Sequence, residues 1–236
     1  MEETQNPDVS ACPWQEAVAQ TALEADSVRH FAVSRGDPAT HVRFNIFPDG
    51  GVARLRVFAV PTRDGITAAR LRLLNSWPAD VLKAALTNCC GSGKWVEQVA
   101  SQRRFSGPAH LFDVAERAAA GLSKEDWLEA FSHHPQIGQK RTGASQSARA
   151  TQWSEQEQAS AGDASSEVQR ELAEANAAYQ ARFGYIFIVC ATGKSADEML
   201  SLMKDRMSNA PEAELRIAAD EQRKITRLRL EKMLAS

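Results

Sequence analysis

Two stretches of this chain carry side chains suited to moving protons or holding an anion. In FSHHPQIG, residues 131–138, His134 stands immediately before a proline, where backbone is pushed towards extended conformations and away from helix. An imidazole fixed in that way can take or give a proton near neutral pH. On its own, a loop histidine reads as a surface or helix-end residue, so its company decides. In KITRLRL, residues 224–230, Arg229 falls four residues after Ile225 and fourteen after Leu215, at or near the apolar face of a helix. An arginine on a buried face needs an anion, and its guanidinium fork matches a carboxylate. Arg227 lies on a different face and reads as a surface charge. Cys89 and Cys90 are adjacent, so a helix cannot aim both at one pocket, and no base is paired with either. Core packing is the plain reading of both.

The elements that must position these groups are mostly helical. Leu71 and Leu74, then the segments 76–86, 110–120 and 123–131, have helical spacing. Ser123 with Asp126 three residues on approaches a capping box. Val168, Leu172, Ala175, Tyr179 and Phe183 recur at threes and fours, which predicts a one-sided helix ending near Gly184. Ser195 with Glu198 opens another, and its stripe of Met199, Leu202, Met203 and Met207 reads as core filling. Pro211 separates it from a last helix over 212–234. WSEQEQ, residues 153–158, reads as a polar, solvated helix start, and FIVCA, residues 187–191, as a buried strand or helix core.

The chain changes character near residue 65. Before it, residues 40–47 and 52–58 alternate apolar and polar side chains around Pro48, Asp49, Gly50 and Gly51, which predicts a β-hairpin. The expected fold class is therefore mainly α: an all-helical domain with a short N-terminal segment containing a β-hairpin.

Composition narrows the function classes. The chain has 236 residues, 43% of them hydrophobic, enough for one domain with an appendage or for two small domains. Net charge is −2 and the basic residues are scattered, unlike the footprint of a nucleic-acid protein, so a small-molecule partner is expected. No apolar run is long enough to span a bilayer, and the acidic start MEET lacks the features of a signal peptide. Cys12, Cys89, Cys90 and Cys190 show neither a disulfide framework nor metal-ligand spacing. The final residues LAS are not a peroxisomal signal. Together these point to the cytoplasm, with no membrane and no nucleic acid as partner.

The segments at 131–138, 153–158, 176–191 and 224–230, with NCCGSGKW at 88–95, resemble in content and order the 2-oxo-4-hydroxy-4-carboxy-5-ureidoimidazoline (OHCU) decarboxylases. The resemblance covers roughly residues 68–235. It implies decarboxylation of OHCU to (S)-allantoin in urate degradation. It places catalysis on His134, Glu157 and Arg229, and substrate binding on Pro135, Ser154 and Gln158. Trp153 fills the bulky slot before them. Phe187, Ile188, Val189, Cys190 and Ala191 match a family segment that contacts the substrate ring, and Arg229 is the arginine expected on its carboxylate or polarised imidazolone oxygen. His133 is structural on this alignment, because the family histidine directly precedes the proline. Glu155 and Gln156 form a competing pair, but Gln152 stands where the serine should be. No cofactor or metal is expected, since the substrate ring itself can accept the electrons that decarboxylation releases and no phosphate loop or metal-ligand cluster is visible. A homodimer is implied.

The opening segment carries a second resemblance. CPWQE at 12–16 and the stretch 40–58 are similar to the C-terminal end of an allantoicase repeat. A sandwich needs about seven strands and this segment offers two or three, so the expected division is an allantoicase-like β fragment over 1–65 and the decarboxylase domain over 68–236. The apolar faces of its strands need cover from the helical domain, from a second copy of the chain, or from an allantoicase or other urate-pathway enzyme. Two readings compete with the decarboxylase: an amidinohydrolase acting on allantoate through the β segment, and a non-enzymatic module in which that segment docks to a partner.

Overall fold

The structure, a computed structural model, describes residues 13–33, 37–48, 50–137, 148–158 and 165–235; of Ala148 and Arg149 it describes the backbone alone. It divides into two compact units, one ending at Ala59 and the other beginning at Val60.

In the first unit the expected β-hairpin is not formed. The described residues before Arg63 contain neither strand nor helix, and Asp49 of the intended turn lies outside them. The physical reason is on the surface. Val42, Phe44, Ile46, Val52, Leu55 and Val57, the apolar members of the alternation, are all exposed. Alternation specifies a face, but a face becomes a sheet only against something apolar, and two isolated strands are marginal in water. The local order here includes the Arg43 guanidinium 4.5 Å above the Trp14 ring, a cation–π contact.

The second unit holds nine helices among the described residues: α1 (Arg63–Ser76), α2 (Ala79–Thr87), α3 (Gly93–Ser101), α4 (Pro108–Ala120), α5 (Lys124–Ser132), α6 (Ala148–Glu157), α7 (Ser166–Phe183), α8 (Ala196–Arg206) and α9 (Pro211–Ala235). Their ends follow from local chemistry. Ser92, Ser123, Ser165 and Ser195 each accept a hydrogen bond from a backbone N–H of the first turn, satisfying donors that the helix cannot. Asp126 and Glu198 complete capping boxes. α7 stops at Gly184, whose φ of 81° is the left-handed conformation that glycine adopts at no steric cost.

α9 is the spine. It packs on α1, α4 and α5 and feeds two cores. Leu230, Met233 and Leu234 join Leu74, Leu86, Trp95 and Leu111 in one, while Ala218 and Ile225 join Phe131, Tyr179, Phe187 and Met199 in the other. Each leucine, isoleucine, phenylalanine or methionine among them contributes roughly 1.5–3 kcal/mol when fully buried. The methionine stripe of α8 is core, with Met199 and Met203 fully buried.

Residues 186–191, between α7 and α8, are neither helix nor strand. Phe187, Ile188, Val189 and Ala191 are buried, so the backbone polar groups of this strip need partners. Side chains supply them. Arg206 Nη1 donates to the Ile188 carbonyl at 2.9 Å, Lys194 Nζ donates to the Cys190 carbonyl at 2.8 Å, and the Cys190 N–H donates to Glu221 Oε2 at 2.7 Å. Arg206 is itself fixed by Glu214, whose Oε1 accepts from Nε at 2.8 Å and from Nη2 at 2.5 Å. Tyr179 Oη also donates to Glu214 Oε1, and Asn209 Nδ2 donates to Oε2 at 2.7 Å. Burial, then the bond to Glu214, holds the Tyr179 phenol far above its ordinary range, so it stays a neutral donor. Among the described residues no helix is long and apolar enough to cross a membrane.

Candidate active site

The C-terminal end of α5 sets up the first candidate side chain, His134. Ala130 and Phe131 are fully buried and anchor the helix, and the N–H groups of His133 and His134 close its last turn on the carbonyls of Ala130 and Phe131 at 3.2 and 3.0 Å. At the other end, Lys94 Nζ donates to Asp126 Oδ2 at 2.9 Å, and the Gly93 N–H donates to Glu129 Oε2 at 3.0 Å, placing a carboxylate at the start of α3 where the helix dipole favours it. His133 packs against Gly91 so closely that a Cβ there would lie 2.3 Å from His133 Cγ. Gly91→Ala is therefore expected to push His133 aside, cost about 1–3 kcal/mol as other overpacked sites do, and disturb the neighbouring His134. Urea unfolding beside a steady-state rate measurement checks both effects, and an unchanged protein would mean that the loop yields freely.

His134 emerges on a small pocket. Across it stand Ser154 and Glu157 from α6 and Gln158 just beyond, with Arg229 from α9. Val189, Cys190 and Ala191 of the strip form a wall, and Thr192, Ile225 and Leu228 close the remainder. Segments far apart in the chain thus bring eight of the expected site residues to one cavity. Pro135 is half-buried beside His134. Phe187 and Ile188 lie in the core behind the wall, Phe187 under the Arg206 guanidinium at 4.5 Å. Gly138 of the histidine segment is outside the described residues. Glu155 and Gln156, the competing pair, are exposed.

Arg229 is only 3% exposed, and its anion is Glu157. Nη2 donates to Glu157 Oε2 at 2.8 Å, and Nε lies 3.3 Å from both carboxylate oxygens. Nη2 also donates to Ser154 Oγ at 3.0 Å, and Nη1 to the Asn88 carbonyl at 3.1 Å. A guanidinium has five N–H donors, so among the described residues these bonds leave one Nη1–H for a ligand. Lys232 Nζ donates to Glu157 Oε1 at 3.0 Å. Asn88 stands in the segment 88–95 that the resemblance takes in, whereas Lys232 does not emerge from reading side chains one at a time. The available signal is helical spacing, since 225, 228, 229 and 232 share one face of α9.

Cys89, Cys90 and Cys190 are not set up as nucleophiles. Cys89 and Cys90 are buried, and burial pushes the Cys90 thiol up to about 11, away from the thiolate that reactivity requires. Cys190 faces the pocket, but burial and then the Glu221 carboxylate raise its thiol too. A second, small concavity sits beside Trp95, Phe112 and Trp127; on its rim Arg223 and Glu116 pair at 2.6 Å. Arg227, expected as a surface charge, lies 3.6 Å over the Phe112 ring and pairs with Glu231 at 2.7 Å. Among the described residues no group of three His, Cys, Asp or Glu could hold a metal ion.

Comparison with known proteins gives this geometry a family. The family model for OHCU decarboxylase matches residues 75–231, and that for the allantoicase repeat matches residues 1–62. The uric acid degradation bifunctional protein TTL of Arabidopsis thaliana is 37% identical over 147 residues, 62% of this chain and 45% of the plant protein. A 2-oxo-4-hydroxy-4-carboxy-5-ureidoimidazoline decarboxylase of Haloferax volcanii is 32% identical over 145 residues, 60% of this chain and 82% of the archaeal protein. A probable allantoicase of Pseudomonas aeruginosa is 46% identical over 59 residues, 25% of this chain and 18% of that enzyme. The chain thus spans less than half the length of the first of these relatives and less than a fifth of the allantoicase. A crystal structure of OHCU decarboxylase in the presence of (S)-allantoin superposes with a TM-score of 0.56 at 35% identity, covering 65% of this chain and 99% of that one. The matched family model takes in most of the second unit and well over half of all residues: the chain belongs to the OHCU decarboxylase family and carries an allantoicase-repeat fragment ahead of it.

Proposed function

We propose that this chain is a carboxy-lyase that converts OHCU to (S)-allantoin without a cofactor. The observation that carries the reading is the convergence of His134, Glu157, Gln158 and Arg229 on one pocket from three separate segments. The substrate bears its carboxylate on the carbon that also bears the hydroxyl. As that carbon–carboxylate bond breaks, its electron pair passes into the ring's unsaturation and carbon dioxide leaves. His134 takes the hydroxyl proton as the carbonyl forms, and a proton delivered to one face of the adjacent ureido-bearing carbon sets the S configuration. Arg229 offers its remaining Nη1–H to the carboxylate, Glu157 beside His134 keeps the guanidinium aimed, and Ser154 and Gln158 hold the ring. Pro135 fixes the imidazole from behind, while the strip from Phe187 to Ala191 supplies the wall on which the ring rests.

We further infer that residues 1–65 form a fragment separate from the decarboxylase domain of 68–236. Its similarity to an allantoicase repeat and its exposed apolar side chains favour a contact with an allantoicase or another urate-pathway enzyme. The decarboxylase domain works as a homodimer in the cytoplasm. OHCU decays on its own to racemic allantoin, so the assay must read rate and chirality together. Urate oxidase and hydroxyisourate hydrolase feed fresh substrate to the purified chain while circular dichroism follows an allantoin band. Rapid appearance of (S)-allantoin is expected. Racemic product at the spontaneous rate from a folded chain would refute the enzyme and leave the docking module.

A further inference from the structure

We propose that Lys232 is a positioning residue that keeps the pocket selective for an anion, by balancing the charge of Glu157 so that Arg229 remains a cation towards substrate. The proposal rests on the decarboxylase reading for its substrate, but not for its physics. Arg229 and Glu157 alone would be a neutral pair: the guanidinium spends Nε–H and one Nη2–H on the carboxylate, and little net charge would face an incoming carboxylate. A second carboxylate beside Glu157 would meet repulsion almost equal to its attraction to Arg229. Lys232 changes that balance. Its ammonium donates to Oε1, the oxygen that Arg229 Nη2 leaves, while Nη2 takes Oε2. The cluster then holds two cations and one anion, a net charge of about +1 in a largely buried setting, where charges are screened far less than at the surface.

The geometry separates the two cations by task. Arg229 is 3% exposed and lines the pocket, whereas Lys232 is 31% exposed at its side chain and reaches Glu157 from one turn further along α9. Lys232 thus has no direct call on the ligand and acts through the carboxylate it shares. The arrangement also suits turnover. The substrate arrives with a carboxylate and the product leaves without one, so a pocket of net positive charge favours what must enter over what must depart.

The test uses the full chain with Lys232→Met and Lys232→Arg. One arm is the coupled assay. Lys232→Met should raise KM for OHCU roughly ten-fold, the scale expected for losing one partly screened charge, with kcat changed less than about two-fold; Lys232→Arg should restore KM. The other arm is calorimetry with 2-oxoimidazolidine-4-carboxylate, a stable anionic ring, against neutral (S)-allantoin. Lys232→Met should weaken the anion roughly ten-fold and leave allantoin unchanged. Equal weakening of both ligands would show a merely structural role and overturn the proposal, as would anion binding that survives Lys232→Met or fails in the unmodified chain. Because calorimetry needs no turnover, the readings separate. A chain that binds the anion through Lys232 but makes no (S)-allantoin loses the function and keeps the charge balance; an active chain indifferent to Lys232→Met does the reverse.

Discussion

His134→Asn is expected to lower kcat for (S)-allantoin formation by a hundred- to ten-thousand-fold, the range that a positioned acid/base contributes, while the thermal midpoint moves little. Asparagine is close to imidazole in reach and still hydrogen-bonds, but it cannot exchange a proton near neutral pH. His134 is half-buried at the pocket edge, and its backbone N–H, bonded to the Phe131 carbonyl, is untouched by the change. Loss of rate without loss of fold is thus the signature. Product chirality adds a second readout: as the enzymatic rate falls towards the spontaneous one, the dichroic signal should fade towards the racemate. A folded His134→Asn variant with full rate and full chirality would remove the histidine from the chemistry and leave Arg229 and the ring wall as the only agents.

The second large effect should come from a residue that never meets substrate. Glu214→Gln is expected to destabilise the protein by about 3–5 kcal/mol, because removing one member of a buried ion pair strands the other. Glu214 is fully buried and Arg206 is 9% exposed, so water cannot take over the lost charge. Urea denaturation measures the cost. A double variant, Glu214→Leu with Arg206→Met, should recover only part of it, since it removes the stranded charge but leaves Tyr179 Oη, Asn209 Nδ2 and the Ile188 carbonyl without these partners. The double variant should also bind substrate worse than the unmodified chain, because Arg206 no longer holds the Ile188 carbonyl. A single-variant cost below about 1 kcal/mol would mean that the network relaxes or admits water.

Much of the helical unit was legible beforehand for physical reasons that are local. Ser123 and Ser195 with their acidic partners three residues on, and Gly184 after an apolar stripe, are decided within a turn of chain, and the structure has each where spacing puts it. Arg229 was legible as a buried-face arginine in need of an anion. That the anion would be Glu157, with Lys232 as its second cation, depends on how α6 meets α9, which no local pattern encodes. The strip over 187–191 read as buried strand or helix core; it is buried but is neither, because its partners are side chains of Arg206, Lys194 and Glu221 rather than a neighbouring backbone. The hairpin over 40–58 failed for the converse reason. Its alternation is genuine, yet Val42, Phe44 and Val57 stay exposed, and a pattern that anticipates a covering layer does not supply one.

α9 carries the lock on the strip through Glu214 and Glu221, the pocket floor through Ile225 and Leu228, the two cations that hold Glu157 through Arg229 and Lys232, and the core through Leu230 and Met233. Inserting one residue in a helix turns everything beyond it by about 100° and advances it by about 1.5 Å, so a single insertion between 215 and 224 would rotate ligand site and core out of place together. Substitutions along α9 are correspondingly entangled, since a change that re-aims Arg229 also re-seats the hydrophobic contacts around it. Room for new substrate preference lies instead across the cavity, at Gln158 and Thr192, which line it from outside the helix that bears the load.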